Sequence, residues 1–245
     1  MKKISMIMYS IIGMCFLTRA IFAGDVTVED ILSKMQQNIV GINDMKSDAF
    51  RRIYMNTQEN TNEQQMKCLY KKPNKYRIET LKGSRVMLIL DNTMTFKTGE
   101  GRVTQEDFNR VLVTDPRQEY FFEDISKILI FFNVILNDVL SDKINSIYVL
   151  EFSPKGVSLN TVNPFSKIEM YVDYEKETSI KIKFYKRNGI LSSIQENRDK
   201  VLIENTWISK SRQIIFYLPN DKQSIEEIRL ENIQINTGIS DNEFE

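Results

Sequence analysis

The sequence predicts a mainly β (α+β) protein, with an antiparallel sandwich or barrel and at least one helix. Short stretches of alternating or β-branched residues recur about ten to eleven times, and turn signals separate them at roughly 8–12-residue intervals. An amphipathic helical pattern precedes these stretches. With 245 residues, 42% of them hydrophobic, the chain is long enough to bury a substantial core.

The first residues have the pattern of an export signal. Lys2 and Lys3 form a short positive region, residues 4–17 form an apolar run, and Ala23 follows as a plausible cleavage point. The run is shorter than the ~20 residues that a membrane-spanning helix needs. We therefore predict a cleavable signal peptide and export of the chain.

The predicted domains are a signal peptide at 1–23 and one domain at 24–245. Two alternatives for the N-terminus stay open. Arg19 would suit an uncleaved inner-membrane anchor formed by residues 4–17, and Cys15 would be the attachment point if the segment were a lipobox.

One helix is predicted at the start of the mature chain. Thr27 is a typical N-cap, Asp30 is its capping-box partner, and Gly41 is the predicted stop. Between them, apolar residues recur at helical spacing: Val28, Ile31, Leu32, Met35 and Ile39.

Strand patterns then form a meander. The predicted strands are 45–56, 64–72, 75–81, 85–90 and 93–98, and Asp91-Asn92 is a hairpin signal. After residue 144 the predicted strands are 145–152, 167–174, 178–186, 190–197, 200–208, 211–218 and 224–235. Turns are expected at Asn188-Gly189 and at Pro219-Asn220-Asp221.

The segment between Pro116 and Pro154 contains neither glycine nor proline. A helical period predicts a helix there, through Ile125, Ile128, Leu129, Phe132, Ile135, Leu136 and Val139. Other faces of this helix are apolar too, so it is either a buried core helix, a strand in part, or a lid over a cavity.

The composition argues against several function classes. Lys+Arg and Asp+Glu both number 33, which leaves no basic footprint for nucleic acid. Histidine is absent, and no nucleophile elbow, phosphate loop, dinucleotide fingerprint or calcium loop occurs. We predict that the protein is not an enzyme and uses no metal or cofactor. Cys68 is the single cysteine after residue 23 and reads as a buried thiol.

Lys72 conflicts with its local pattern. It shares a predicted strand face with Met66, Cys68 and Tyr70, which belong in an apolar interior. Either the strand ends at Lys71 and Lys72 is solvated, or the Lys72 ammonium binds carbonyl groups on an element that covers the interior.

Several segments resemble the LolA-type family of outer-membrane lipoprotein-sorting carriers. Residues 69–77 (Leu-Tyr-Lys-Lys-Pro-Asn-Lys-Tyr-Arg) resemble its strand–Lys/Arg-Pro-Asn–strand segment, and residues 91–96 its following hairpin. Residues 184–207 are similar to later hairpins of the wider group. Residues 232–244 resemble its closing strand and terminal phenylalanine. In order and spacing the match touches most of residues 24–245.

The resemblance implies an incomplete antiparallel β-barrel covered by helices, LolA/LolB-like in fold. It implies a monomeric periplasmic carrier that binds lipoprotein acyl chains or lipid and moves them toward the outer membrane. Its implied partners are an inner-membrane releasing complex and an outer-membrane acceptor. The alternative is an RseB-like periplasmic sensor on the same scaffold. A lipid-acting hydrolase would need a catalytic site that the sequence does not offer.

Residue roles follow from the same resemblance. The lipid-binding cavity would be lined by Met66, Cys68, Tyr70, Tyr76, Ile78, Met94 and Phe96. The lid would contain Ile128, Phe131, Phe132 and Ile135. Lys72 stands where the family has an arginine that holds the lid closed, so Lys72 would be the lid latch. Its ammonium is a compact charge and lacks the planar array of donors that the guanidinium of arginine has.

Overall fold

The structure of the protein is a computed structural model. It describes residues 26–55, 58–73, 75–81, 86–90, 93–97, 103–107, 129, 132–141, 146–155 and 165–245. Within these residues, no helix has both the length and the hydrophobicity that crossing a membrane requires.

One antiparallel sheet holds all thirteen strands that the described residues form. In chain order they are β1 (Asp44–Met55), β2 (Gln58–Lys71), β3 (Lys75–Thr80), β4 (Val86–Leu90), β5 (Thr93–Lys97), β6 (Val103–Asp107), β7 (Phe132–Ser141), β8 (Ser146–Pro154), β9 (Phe165–Asp173), β10 (Thr178–Lys186), β11 (Leu191–Ile203), β12 (Thr206–Tyr217) and β13 (Gln223–Ile235).

The strand order explains how the two halves of the chain meet. It runs β6-β5-β4-β3-β2-β1-β13-β12-β11-β10-β9-β8-β7, so β1 pairs with β13 and every other neighbour is consecutive in sequence. In the described part of the chain no ladder joins β6 to β7, and the sheet stays open. The predicted mainly β fold, an incomplete antiparallel barrel, is confirmed, with thirteen strands in place of ten to eleven.

The predicted N-terminal helix is confirmed as α1 (Val28–Val40). Thr27 and Asp30 form the capping box in both directions, and Gly41 is the C-cap. The backbone N–H and the hydroxyl of Thr27 lower the pKa of Asp30, because both hydrogen bonds favour the carboxylate.

The main core lies between α1 and one face of the sheet, which we call the inner face. Ile31, Leu32 and Met35 of α1 are buried there, as their helical spacing requires. They pack against side chains of β7 to β10, namely Phe132, Leu150, Phe152, Ile168, Met170, Val172, Ile182 and Phe184. The helix thus covers one end of the inner face.

The helix predicted from Ile125 to Val139 is wrong over residues 132–139, which belong to strand β7, and the alternative of a strand in part of this segment is confirmed. Residues 128–136 are apolar at every position but Asn133, so this run fits a helical period and a strand equally well. Pairing with β8 decides in favour of the strand. Phe132 is buried in the core, whereas Ile135 is 55% exposed on this edge strand. The other two lid residues, Ile128 and Phe131, lie outside the described residues.

The chain after β13 crosses to the other face of the sheet, which we call the outer face. Asp44 directs the crossing, because its carboxylate accepts hydrogen bonds from the backbone N–H groups of Thr237 and Gly238. Burial raises the pKa of Asp44, but these hydrogen bonds outweigh burial and hold the pKa below its usual value. A short 3-10 helix (Asp241–Phe244) then lies against β2 to β4.

Candidate functional site

Five of the predicted cavity residues share the inner face. Met66, Cys68 and Tyr70 alternate along β2, and on β3 Ile78 pairs with Cys68 and Tyr76 pairs with Tyr70. Directly paired residues of antiparallel strands point to the same side of a sheet. Met94 and Phe96 lie on β5, in register with Ile89 and Met87 of β4.

Tyr70 and Tyr76 form the centre of a second apolar cluster. Their rings stack at a centroid distance of 4.9 Å. Around them the buried apolar side chains are Ile42, Ile208 and Ile235. The inner face is therefore apolar at two places, under α1 on β7 to β10 and around the tyrosine pair. That these residues line a lipid cavity stays a prediction.

Cys68 is a protected thiol. Burial raises its pKa to about 11, and the negative charge of Asp48 adds to this shift. The thiol form therefore predominates at neutral pH, and the thiolate is the reactive species.

We expect native Cys68 to react with iodoacetamide at pH 8 about 100-fold more slowly than in urea, because its thiolate is suppressed in the folded state. A Cys15→Ser background makes it the sole cysteine, and mass spectrometry follows the labelling. The control places the sole cysteine at exposed position 202 by Leu202→Cys, with Cys15 and Cys68 changed to serine. Equal rates for native Cys68 and this control would contradict the prediction.

Polar side chains interrupt the inner face on its central strands. We call the following set the polar belt: Arg51, Gln195, Asn197, Arg212 and Glu226. The register places Arg51 of β1, Ile228 of β13 and Arg212 of β12 in one row, which Asn197 of β11 extends. Glu226, Ile214 and Gln195 form the adjacent row.

Hydrogen bonds join the members of the polar belt. Arg51 Nε donates to Glu226 Oε1 at 2.8 Å. Gln195 Nε2 donates to Asn197 Oδ1 at 3.0 Å, and Asn197 Nδ2 donates to Ser179 Oγ at 2.9 Å. Gln195 is only 2% exposed, and its Oε1 is a buried acceptor without a hydrogen-bond partner in the described part of the chain. Sequence reasoning missed the polar belt, because only the register brings these residues together.

Lys72 contacts the helix that covers the inner face. Strand β2 ends at Lys71, as one of the two readings predicted, yet the Lys72 ammonium is engaged. Its Nζ donates to the carbonyl oxygens of Val40 at 2.6 Å and Ile39 at 3.4 Å. A positive charge is favourable at this helix C-terminus. The helix that Lys72 contacts is α1; the predicted lid residues Ile128 and Phe131 lie outside the described residues.

The C-terminal end of α1 is fixed at two further points. The side chain of Asn38 donates from Nδ2 to the carbonyl oxygen of Trp207 at 2.9 Å, and its Oδ1 accepts a hydrogen bond from the backbone N–H of Trp207 at 2.7 Å. The side-chain amide thus makes the pair of hydrogen bonds that a residue of a neighbouring strand would make. Asn236 Nδ2 donates to the carbonyl of Gly41 at 3.0 Å. These contacts tie the helix to β12 and to the residue after β13.

The outer face carries ion pairs. Glu169 binds Lys167 at 2.7 Å and accepts a hydrogen bond from Tyr185 at 3.0 Å. Burial raises its pKa, but these partners outweigh burial and lower it overall. Among the described residues no group of three His, Cys, Asp or Glu side chains could hold a metal ion.

Two clefts that described residues form also lie on the outer face. One has a volume of about 580 Å³ beside the 3-10 helix, and includes Lys67, Arg77 and Asn242 in its wall. The other has a volume of about 230 Å³ and is bordered by Arg52 and Arg198. Neither contains a residue predicted for the lipid-binding cavity.

Comparison with solved structures identifies the fold. No protein-family model matches the sequence, and no curated protein matches it. A DUF1329 family protein from Desulfovibrio piger superposes with a TM-score of 0.67 at 14% identity, covering 88% of this chain and 95% of that one. A LolA superfamily protein from Nitrosomonas europaea gives 0.64 at 12% identity, with coverages of 90% and 98%.

An outer membrane lipoprotein-sorting protein domain from Vibrio parahaemolyticus is similar to the same extent. Its TM-score is 0.65 at 12% identity, and the match covers 88% of this chain and 94% of that domain. All three likenesses extend over nearly the whole of both chains. The chain therefore has the LolA-like fold, an open antiparallel sheet with a helix on its inner face.

Proposed function

We propose that the protein is a periplasmic carrier that binds lipoprotein acyl chains or lipid against its inner face and moves them toward the outer membrane. The observation that carries the proposal is an open sheet whose inner face is apolar at two places and partly covered by α1. The LolA-like fold, and its occurrence in a lipoprotein-sorting domain, support it.

The physical task of such a carrier matches this architecture. Each CH₂ group removed from water contributes about 0.8 kcal/mol, so an acyl chain does not cross an aqueous space unaided. The carrier must shelter many such groups and still release them. A cover does both if opening it costs only a few kcal/mol, as at the C-terminal end of α1, where Lys72 and Asn236 make polar contacts.

Under this proposal the chain works in the periplasm as a monomer after removal of residues 1–23, without a cofactor and without catalysis. An inner-membrane complex loads it and an outer-membrane acceptor unloads it. Met66, Cys68, Tyr70, Tyr76, Ile78, Met94 and Phe96 line the binding surface. The loading complex, the acceptor and these residue roles are parts of the proposal.

The regulatory alternative has one observation in its favour. Within the described residues β7 is an unpaired edge of the sheet, and it exposes Ile135, Val139 and Leu140. An edge of this kind offers a protein partner a place to add a strand. A sensor of the RseB type would form a stable protein complex and would transfer no lipoprotein between two membranes.

Lipid analysis of the purified protein tests the carrier directly. We expect co-purifying lipid in a mass-spectrometric extract, and saturable binding of a fluorescent fatty acid.

Ile78→Asn should weaken binding of the fluorescent fatty acid about tenfold, because it places an amide on the inner face. Glu79→Asn, the neighbour on the outer face, should leave binding unchanged. Absence of both lipid and probe binding in the unchanged protein would refute the proposal.

Lys72→Leu is expected to speed the release of bound probe several-fold. The substitution removes the donor to the Ile39 and Val40 carbonyls, and a cation at an exposed helix C-terminus contributes about 0.3–1 kcal/mol. Stopped-flow dilution measures the release rate, and urea unfolding measures stability. Lys71→Leu is the matched control, because Lys71 binds the carbonyl of Ile239 and leaves α1 untouched. Unchanged release with a large loss of stability would argue against a latch.

A further inference from the structure

We propose that strand β11 holds the head of the carried lipid, and that this head is uncharged and donates a hydrogen bond through a hydroxyl or an amide N–H. The inference rests on the proposed function and adds the chemical class of the cargo. Pockets for apolar ligands are mostly hydrophobic, and a few placed polar groups define which ligand they accept. Strand β11 supplies such groups on the inner face.

Three polar side chains follow one another along the inner side of β11. Ser193 and Gln195 are each 2% exposed, and Asn197 is 8% exposed. At the positions paired with Ser193 and Gln195, both neighbouring strands carry apolar side chains, namely Phe184 and Ile182 on β10 and Phe216 and Ile214 on β12. Buried polar groups in such surroundings cost free energy unless hydrogen bonds satisfy them. Their partners therefore decide what β11 can bind.

Hydrogen bonds fix the orientation of the Gln195 amide. Asn197 Nδ2 donates to the carbonyl oxygen of Ser179 at 3.3 Å and to its Oγ at 2.9 Å. A carbonyl group only accepts, so the amide nitrogen of Asn197 faces Ser179 and its Oδ1 faces Gln195. Gln195 accordingly donates from Nε2 to Asn197 at 3.0 Å. Its Oε1 is the buried acceptor without a hydrogen-bond partner in the described part of the chain.

The Gln195 Oε1 atom selects a ligand that donates. Leaving a buried acceptor unpaired costs free energy, and a hydroxyl or an N–H group on the ligand removes that cost. The hydrogen bond is also stronger at a position from which water is excluded. A lipid whose head has only ether or ester oxygens would place an acceptor against an acceptor.

The charges beside β11 are matched within the protein. Arg51 binds Glu226 at 2.8 Å, and Arg212 has interactions of its own inside the protein. An ionised head on the neutral amides of β11 would lose its hydration without gaining a counter-charge. The site therefore favours an uncharged head.

Hydrocarbon would continue from Gln195 along its own row of the inner face. This row runs through Ile182, Met170 and Leu150, toward the core that α1 covers. All three side chains are buried. A tail would reach them when the cover opens, which is the motion that the carrier proposal already requires.

Competition between matched amphiphiles tests the inference. The purified full chain is loaded with diphenylhexatriene, a hydrocarbon probe that makes no hydrogen bond, and the probe is displaced by dodecanol or by dodecyl methyl ether. We expect dodecanol to bind about tenfold more tightly than the ether. A purely apolar surface would reverse the order about fourfold, because the ether has one more carbon. The dodecanoate anion should bind more weakly than dodecanol.

A second pair of ligands identifies the donor. N-methyldodecanamide has an amide N–H, and N,N-dimethyldodecanamide has none. A preference for the donor in one pair alone assigns the site to that donor. No such preference in either pair would overturn the inference while the carrier proposal stands, whereas a chain that binds no diphenylhexatriene would refute the carrier and the inference together.

Variants locate the preference. Gln195→Met should abolish the preference for dodecanol over its ether and leave diphenylhexatriene affinity unchanged. Gln213→Met is the matched control and should keep the preference, because Gln213 pairs with Glu196 on the outer face. Gln195→Asn, which draws the amide back by one CH₂ group, serves if Gln195→Met does not fold, and should lose most of the preference. An unchanged preference in the Gln195 variants would overturn the assignment.

Discussion

Phe244→Ala is expected to lower the free energy of unfolding by about 3–5 kcal/mol, the usual range for deleting a buried aromatic ring. Phe244 is 2% exposed and packs with Leu88 and Ile239 on the outer face. The ring also holds the 3-10 helix in place. There Arg77 donates to the carbonyl of Glu243 at 3.2 Å, and Lys71 binds Asp241 at 2.7 Å.

Urea unfolding at pH 7 measures the effect of Phe244→Ala. Leu202→Ala is the control, because Leu202 is a 53% exposed apolar side chain on the same face and should cost less than about 0.5 kcal/mol. If both variants changed stability by the same small amount, the terminal segment would contribute no packing to the fold.

Lys200→Met is expected to raise stability at pH 7 by about 1–3 kcal/mol, against the usual direction of core substitutions. The Lys200 side chain is only 8% exposed, and its nearest carboxylate, that of Asp173, is 4.0 Å away. Burial lowers the pKa of Lys200 to about 8, because the charged form loses hydration. Its hydrogen bond to Thr178 offsets part of this cost.

The pH dependence of Lys200→Met has a definite sign. Between about pH 8 and pH 10.5 the unfolded chain binds more protons at Lys200 than the folded chain does. The unchanged protein therefore gains stability as pH rises through this window, and the advantage of the variant shrinks. Asp173 keeps its partner Lys176 at 3.2 Å in the variant.

Thermal and urea unfolding at pH 7 and pH 9.5 check this expectation. Lys181→Met, at a lysine that is 38% exposed, is the control and should show little change at either pH. A loss of stability at pH 7 in Lys200→Met would mean that the ammonium contributes more through its contacts than burial costs.

Local signals predicted the elements that depend on neighbouring residues. The capping box of Thr27 and Asp30 defined the start of α1. Asn188-Gly189 marked the hairpin between β10 and β11, where Gly189 has a φ of 78° and its N–H closes the turn onto Lys186. The alternation of residues 64–72 placed Met66, Cys68 and Tyr70 on one face. Each of these depends on contacts a few positions apart.

Features that depend on distant partners were not predictable. Three short strands were expected between residues 190 and 218, but the structure has two long ones, β11 and β12, joined at Glu204-Asn205. Both turn residues have positive φ, 46° and 65°, and Glu-Asn is a weaker hairpin signal than Asn-Gly. A strand in part was one of the alternatives for the segment that contains β7, but its apolar residues also fit a helical period, so the sequence did not decide between helix and strand.

The candidate site shows the same division. That Lys72 would bind carbonyl groups was one of two readings of its local pattern, but the carbonyl groups belong to Ile39 and Val40, more than thirty positions earlier in the chain. The polar belt needed the pairing of β1 with β13, which joins the two ends of the domain. No pattern in either strand alone brings Arg51 beside Arg212.

The gap between β6 and β7 has a mechanical consequence. A closed cylinder has a fixed number of strands and a fixed stagger, so its bore is fixed as well. In the described part of this chain the first and last strands of the sheet share no ladder. Small changes of twist, spread over thirteen strands, therefore alter the enclosed width without breaking a backbone hydrogen bond. Under the carrier proposal, one scaffold would then accept hydrocarbon chains of different widths.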